Sequence, residues 1–370
     1  MIVSNLVKFM YLPIGLLVIC LSGCVVDNTR QISMSHAAYN QTLIQNKQEE
    51  LLLNLVRLRY RDTPFFLDTA SVTATFKSES KVGFGAAIPF SGSVTGLDSS
   101  GSATLSVAPT VSYVPIEGDE YFKNFLTPIS LDELLVMTQS GWGIDRIFGI
   151  AVEQINGLYN ATAASGPTPA NAPTKASQME QVLQVLRRAQ LNDSLNWAKD
   201  SQGQLYVYHR SSSGSSSETD AFFDLLNLDP SLKRYTVSPY QLVEKGKEHV
   251  FVKTRSILSI LFYLSQNVEV GEEDLNKGWV TQTMDDEGKP YDWSLTPAGK
   301  RFKVYSSAIR PEQAAIQVRY RDRYFFIKDH DLETKSTFML LNHLYAFQSG
   351  TSLRQAPTCL LYTSPSPRDS

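Results

Sequence analysis

"VGFGAAIPFSGSVTG", residues 82–96, and "GSATLSVAPTVSYVP", residues 101–115, stand apart in composition from the rest of the chain. Each is of strand length, rich in Gly, Ser, Thr and Val, with few charges between Gly83 and Pro115. Leu97-Asp98-Ser99-Ser100 lies between them as a candidate turn. Just upstream, Thr69–Lys77 alternates with β-branched and aromatic residues. Strand propensity and turn punctuation agree on a β-hairpin region over residues 70–114. A weak alternation of apolar and small polar residues over about ten positions is also how transmembrane β-strands read. The competing reading is a soluble surface hairpin or glycine-rich loop. It is favoured on physical grounds, because one hairpin cannot close a barrel and its edges would be unpaired in lipid.

Working outward, helices and strands alternate. Leu43, Ile44, Leu51, Leu52, Leu55 and Leu58 recur at three- and four-residue spacings and predict a core-facing helix over His36–Arg59. Ser130, with Glu133 three residues on, is a capping-box signal for the next helix. Ser140-Gly141-Trp142-Gly143 ends that helix, and another is expected from Ile144 to about Tyr159. Trp142 is a candidate ligand contact or, more commonly for such a residue, a core anchor. "ATAASGPTPANAPTKAS", residues 161–177, reads as a linker. Further elements follow: a helix over Gln178–Leu191, a strand at "QLYVYHR", a strand at His249–Lys253, and a helix capped by Thr254 or Ser256. Residues 211–220, "SSSGSSSETD", are low in complexity. Strands Phe302–Ser307, Ala314–Tyr320 and Tyr324–Lys328 come next, with a turn at Arg321-Asp322, then a helix over Thr334–Phe347. The pattern predicts an α+β fold with antiparallel sheets and packed helices. It divides the chain into an N-terminal domain over 36–160 and a C-terminal domain over 178–358.

The N-terminus has a different character. Lys8 is followed by an apolar run from Phe9 to Leu21, interrupted by Pro13 and Gly15, with no acidic residue before Asp27. The run is too short to span a bilayer and fits a secretory signal over residues 1–23. It ends in Leu21-Ser22-Gly23-Cys24, which resembles the bacterial lipobox. Small residues there let a peptidase reach the scissile bond, and the thiol is the nucleophile that accepts diacylglycerol. The resemblance implies that Cys24 becomes the acylated first residue, joined to the fold by a tether over 24–35. It also implies that Val25, in place of a retention Asp, directs the chain to the outer membrane. The chain thus resembles the lipid-anchored lipoproteins of the Gram-negative envelope. At the other end, residues 359–370 begin Cys-Leu-Leu-Tyr-Thr-Ser-Pro-Ser-Pro-Arg-Asp and resemble a translated sequencing adapter. They are read as outside the natural chain.

Composition sets bounds on chemistry. The net charge of −3 is no electrostatic footprint for nucleic acid. The cysteines are Cys20, Cys24 and Cys359, so the body from Val25 to Thr358 has neither disulfides nor thiol chemistry. None of the five histidines stands in a metal-site spacing, and no cofactor is expected. Asp329-His330-Asp331 is the densest polar cluster and a weak candidate for a cation, against the commoner role of turn or helix cap. Asp285-Asp286-Glu287-Gly288 lacks the alternating oxygen ligands of a calcium loop and reads as a hairpin turn. No GxSxG elbow occurs, and Gly83-Phe84-Gly85 lacks the rest of a dinucleotide fingerprint. One internal echo is present: Arg59–Phe66 matches Arg319–Phe326 at six of eight positions.

The expectation is a periplasm-facing, non-enzymatic binding or scaffold protein. Its partners would be the lipid bilayer through acylated Cys24, and envelope proteins or further copies of itself. The alternatives are an export or pore component that contributes hairpin 70–114 to a shared barrel, and a hydrolase of envelope polymers, for which no motif speaks. Expressed in a Gram-negative host, the chain will incorporate labelled palmitate and lose the mass of residues 1–23. Cys24→Ser will do neither, and an unlabelled, uncleaved wild type would refute the anchor.

Overall fold

The computed structural model describes residues 28–86, 97–167, 177–209, 217–239 and 246–350. Residues 1–23 read as a signal, Cys24, and the tail with Cys359 lie outside them. The chain forms two compact units, Met1–Glu50 and Leu51–Ser370.

In the first unit the described residues are helical. They open α1, Asn28–Arg59, where a tether was expected up to residue 35. No glycine or proline interrupts Asn28–His36, so nothing in the backbone delays helix entry. Ile44, expected on the apolar face, is 51% exposed. In the second unit α1 changes character, and Leu51, Leu52, Leu55, Val56 and Leu58 are buried.

The second unit is α+β. Its largest sheet has six strands in the order β4-β3-β8-β7-β6-β5. These are β3 Val152–Ile155, β4 Leu158–Tyr159, β5 Leu195–Lys199, β6 Leu205–His209, β7 Arg234–Ser238 and β8 His249–Thr254. All neighbours run antiparallel except β7 and β8, which pair in parallel with Val237 opposite Val250. The antiparallel expectation is therefore corrected to a mixed sheet. The domain boundary is corrected as well. β3 precedes the expected linker, β8 follows it, and Gln154 pairs with Lys253. The strands before and after the Ala- and Pro-rich stretch therefore belong to one sheet rather than to two domains.

The helix expected from Ile144 to Tyr159 stops early, as α4 Ile144–Ala151. Asn156 and Gly157, at φ 45° and 88°, make the two-residue turn of the β3–β4 hairpin. Asn-Gly is the strongest short hairpin signal, because both positions need positive φ. α2 is the short helix Gly118–Tyr121, and α3, Leu131–Gln139, carries the expected capping box on Ser130 and Glu133. α5 spans Ser177–Leu191 and packs against α4 and α6, Ser217–Leu226. α7, Ile257–Ser265, starts where the Ser256 hydroxyl accepts from Ser259 N, and buries Ile257, Ile260, Leu261 and Leu264. Such burial contributes about 1.5–3 kcal/mol per side chain. A short helix, α8, covers Glu272–Asn276.

A second, three-stranded sheet has the order β10-β11-β9. It comprises β9 Tyr305–Ser307, β10 Ala314–Tyr320 and β11 Arg323–Lys328, with the expected turn at Arg321 and Asp322, both at positive φ. α9, Leu332–Gly350, ends the described chain.

The hairpin region forms a sheet of its own, from β1 Leu67–Ala86 and β2 Leu97–Pro115. The expected turn at 97–100 is instead part of β2, with Leu97 opposite Ala86 and Ser99 opposite Phe84. The connection falls among residues 87–96, outside the described residues. Period-two pairing continues through the serines because nothing in them requires the chain to reverse. Among the described residues no helix is long and apolar enough to cross a membrane.

Gly157 at φ 88° and Gly166 at φ −144° both have open space where a Cβ would stand. Gly157→Ala will therefore lower stability by about 1–2 kcal/mol through the left-handed backbone alone, whereas Gly166→Ala will leave it unchanged. Urea midpoints check the pair.

Candidate functional site

The most distinctive feature among the described residues is the β1–β2 ribbon, and its root is firmly built. α1 ends at Arg59, and Arg61 at φ 61° turns the chain back on itself. Asn54 then clamps the chain on both sides: its Oδ1 accepts from Phe65 N at 2.9 Å, and its Nδ2 donates to Phe65 O at 2.7 Å. The two ends of the ribbon are joined, with Ile116 N donating to Phe66 O at 3.1 Å. Both residues are buried. Phe66 stacks on Phe125 with centroids 4.1 Å apart, and Phe125 meets Tyr345 of α9 at 5.6 Å. The ribbon thus leaves the core from a fixed point.

Its register sorts the sequence. Thr69 is opposite Tyr113, and a bulge at Ala70 then resets the alternation. Beyond it, Val72–Val111, Ala74–Pro109, Phe76–Val107, Ser78–Leu105, Val82–Gly101 and Ala86–Leu97 are pairs on one face. Thr73–Thr110, Lys77–Ser106, Glu79–Thr104, Lys81–Ser102 and Gly85–Asp98 are pairs on the other. Asp68, opposite Val114, belongs to that second face across the bulge. Every ionisable residue of the two strands apart from Tyr113 (Asp68, Lys77, Glu79, Lys81 and Asp98) falls on the same face. Neither outer edge is paired with another strand among the described residues.

The sequence echo is not a duplicated unit. One copy closes a helix and the other forms a β-hairpin turn. The two nevertheless meet. Tyr60 and Tyr320 lie 5.6 Å apart, the Tyr320 hydroxyl donates to Asp62, and Arg321 pairs with Asp62 at 3.0 Å. The Tyr60 hydroxyl donates to buried Asp274. Burial first, and the Asp274 carboxylate second, push the Tyr60 hydroxyl well above the usual phenol range. Burial and Asp62 raise Tyr320 in the same direction. This contact ties the end of α1 to the three-stranded sheet.

Arg255, between β8 and α7, is the other residue that sequence inspection missed. It is fully buried. Its Nε donates to Ser165 Oγ at 2.9 Å, Nη1 to Val152 O at 2.7 Å, and Nη2 to Asn160 O. The guanidinium lies 4.3 Å over the Tyr263 ring. Asn160 completes the knot, its Nδ2 donating to Gly149 O and Val152 O and its Oδ1 accepting from the Tyr263 hydroxyl. Burial lowers the Arg255 pKa to about 10. This group stitches α4, β3 and α7 together.

The candidate cation residues serve the fold locally. Asp331 caps α9, its carboxylate accepting from Thr334 N at 3.0 Å and Thr334 Oγ1 at 2.8 Å. Asp329 pairs with Lys335 at 2.6 Å, which together with its charge holds the carboxyl below its ordinary range. No group of three His, Cys, Asp or Glu residues among those described has metal-binding geometry. Asp145 and Glu180 share Arg301 at 3.1 and 3.3 Å, a brace between α4 and α5 rather than a free carboxylate pair. The displaced carboxyls Asp200, Asp229, Glu273 and Asp329 are all shifted downward, opposite to a general acid. Asp285 accepts from Glu287 N and Lys289 N in the expected hairpin turn. Trp142 is partly buried against the core, with its ring edge-on to His343. A cleft of about 270 Å³ is lined by Asn267, Glu269, Tyr291, Trp293 and Lys303, with Glu269 and Lys303 3.9 Å apart at its side. No protein family, curated protein sequence or solved structure matches the chain.

Replacing Arg255 by Met keeps its bulk but strips the donors from several buried carbonyls. Arg255→Met will lose about 3–5 kcal/mol, read from urea unfolding, while Lys335→Met at the surface will stay within about 0.5 kcal/mol of wild type.

Proposed function

We propose that this chain is a lipid-anchored envelope protein whose α+β body is a non-enzymatic scaffold, and that copies of it assemble side by side through the β1–β2 ribbon. The observation that carries the reading is the ribbon itself, two strands of 20 and 19 residues with no other strand on either edge among the described residues. An isolated two-stranded hairpin is marginal in water. Open strand edges are templates for further pairing. A neighbouring copy offers the complementary edge, β2 of one chain against β1 of the next, and a ring of copies leaves no edge at all. The rigid root supports this, because repeated units assemble in register only when each presents its strands at the same angle. The lipobox at Leu21–Cys24 supports it too, since anchoring confines copies to one surface and raises their local concentration.

The test is the native mass of the acylated protein in mild detergent, beside a variant in which residues 77–106 are replaced by Asn-Gly. That replacement closes the ribbon at the Phe76–Val107 pair and leaves the root intact. The full chain will run as a discrete oligomer and the shortened one as a monomer with the same unfolding midpoint. A monomeric full chain, or an oligomer unaffected by the shortening, would overturn the reading.

A further inference from the structure

The ribbon has two chemically different faces, and the difference specifies what each one meets. We infer that the assembled ribbons enter a bilayer, with the Val72–Phe76–Val82 face against lipid acyl chains and the Lys77–Glu79–Lys81 face around a water-filled lumen; the inference rests on the assembly proposed above.

Three observations bear on it. First, from Val72 to Ala86 and from Leu97 to Val111 the first face holds no ionisable residue, and its polar members are Ser78, Ser80 and Ser99. The five charges of the strands are collected on the other face. Chance alternation would scatter them, and a ribbon wet on both sides has no reason to sort them. Dyad alternation of this kind is what a barrel wall between lipid and water requires. Second, the length fits. On the apolar face Tyr113 marks the root and Phe84, opposite Ser99, the far end. The stretch from Tyr113 to Ser99 covers about 48 Å at about 3.4 Å per residue. At a barrel tilt of about 40° that projects to about 35–40 Å. A bilayer measures about 30 Å across its hydrocarbon and about 40 Å with its interfaces, so the two aromatics would stand at the two boundaries. Tyr113 is 44% exposed, as an interfacial anchor would be before it meets lipid. Third, a barrel is the one form in which strands can cross lipid, because every backbone group must be paired. Pro109 stays in register opposite Ala74 and, having no N–H, leaves β2 one donor short there. Polar-face positions Gly83, Gly85, Ser100, Ser102 and Ser106 are small, which suits an inner wall that must curve.

Single cysteines report on each face, since residues 25–358 contain none. In a Cys359→Ser background with Cys24 acylated, cysteines replace Val72, Phe76 or Leu105 on one face and Thr73, Thr75 or Thr104 on the other. Each is labelled with bimane, and the assembly is reconstituted into phosphatidylcholine vesicles. Quenching by acyl-chain bromines is compared with quenching by aqueous iodide, and native mass is read on the same samples. The first set will be quenched at least twofold more by bromolipid than by iodide, and the second set the reverse. An intact oligomer with both sets open to iodide would overturn membrane entry and leave assembly standing. A monomer with both sets open to iodide would overturn both. Six independent positions keep the comparison decisive if one variant fails to fold.

Discussion

Backbone hydrogen bonding along the ribbon limits which surroundings the two strands can occupy. In an antiparallel pair, half of the N–H and C=O groups face the partner strand and half face away. For β1 and β2 the outward halves have no strand to meet among the described residues. Water can satisfy them, or another strand can. The physical content of the molecule turns on which, because the sorting of residues between the two faces is of little use to a ribbon surrounded by water. It becomes useful once the edges are closed and the faces are separated into an inside and an outside.

The body is organised to hold the ribbon still. Phe65 is clamped by Asn54 on both backbone groups, and Phe66 is sunk into the Phe125–Tyr345 stack. α9 is tied in the same neighbourhood, with Gln348 donating to Lys123 O. The contact between Tyr60, Asp62, Tyr320 and Arg321 holds the end of α1 to the small sheet. Deeper in, Arg255 is tolerable as a buried cation only because its donors find carbonyls, a hydroxyl and a ring face. Several of the described carboxylates are committed to caps and ion pairs: Asp331 to Thr334, Asp329 to Lys335, and Asp145 with Glu180 to Arg301.

Much of this was legible in the sequence, and the reasons are local. The capping box at Ser130, the Ser256 cap, the Arg321-Asp322 turn and the existence of the hairpin follow from residue chemistry within a few positions. What was missed depends on partners far along the chain. β5 and β7 are strands because β6 and β8 lie beside them, and their own sequences, "LNWAK" and "RYTVS", are too short to declare it. Arg255 looks like any surface arginine until Asn160 and Val152 close around it. The early end of α4 was readable, since Asn156-Gly157 is a hairpin signal that begins five residues after Ala151. The two-faced ribbon was only half visible. The bulge at Ala70 shifts the alternation by one, and Leu97–Ser100 has the composition of a turn, so the register had to be known before the charges fell into line. The root likewise joins Asn54, Phe66, Ile116 and Tyr345, which no spacing rule connects.

Anchor, body and ribbon then form one physical sequence. An acylated Cys24 would hold the chain at a bilayer, the body would fix the angle of the strands, and neighbouring copies would complete their hydrogen bonds. The most direct test is hydrogen exchange, amide by amide, over residues 71–86 and 97–112 in the assembly extracted from membranes. Closed edges predict slow exchange at every amide except Pro109, which has none, with no alternation along either strand. Fast exchange at every second residue, the pattern of a ribbon bonded on one side only, would contradict the account.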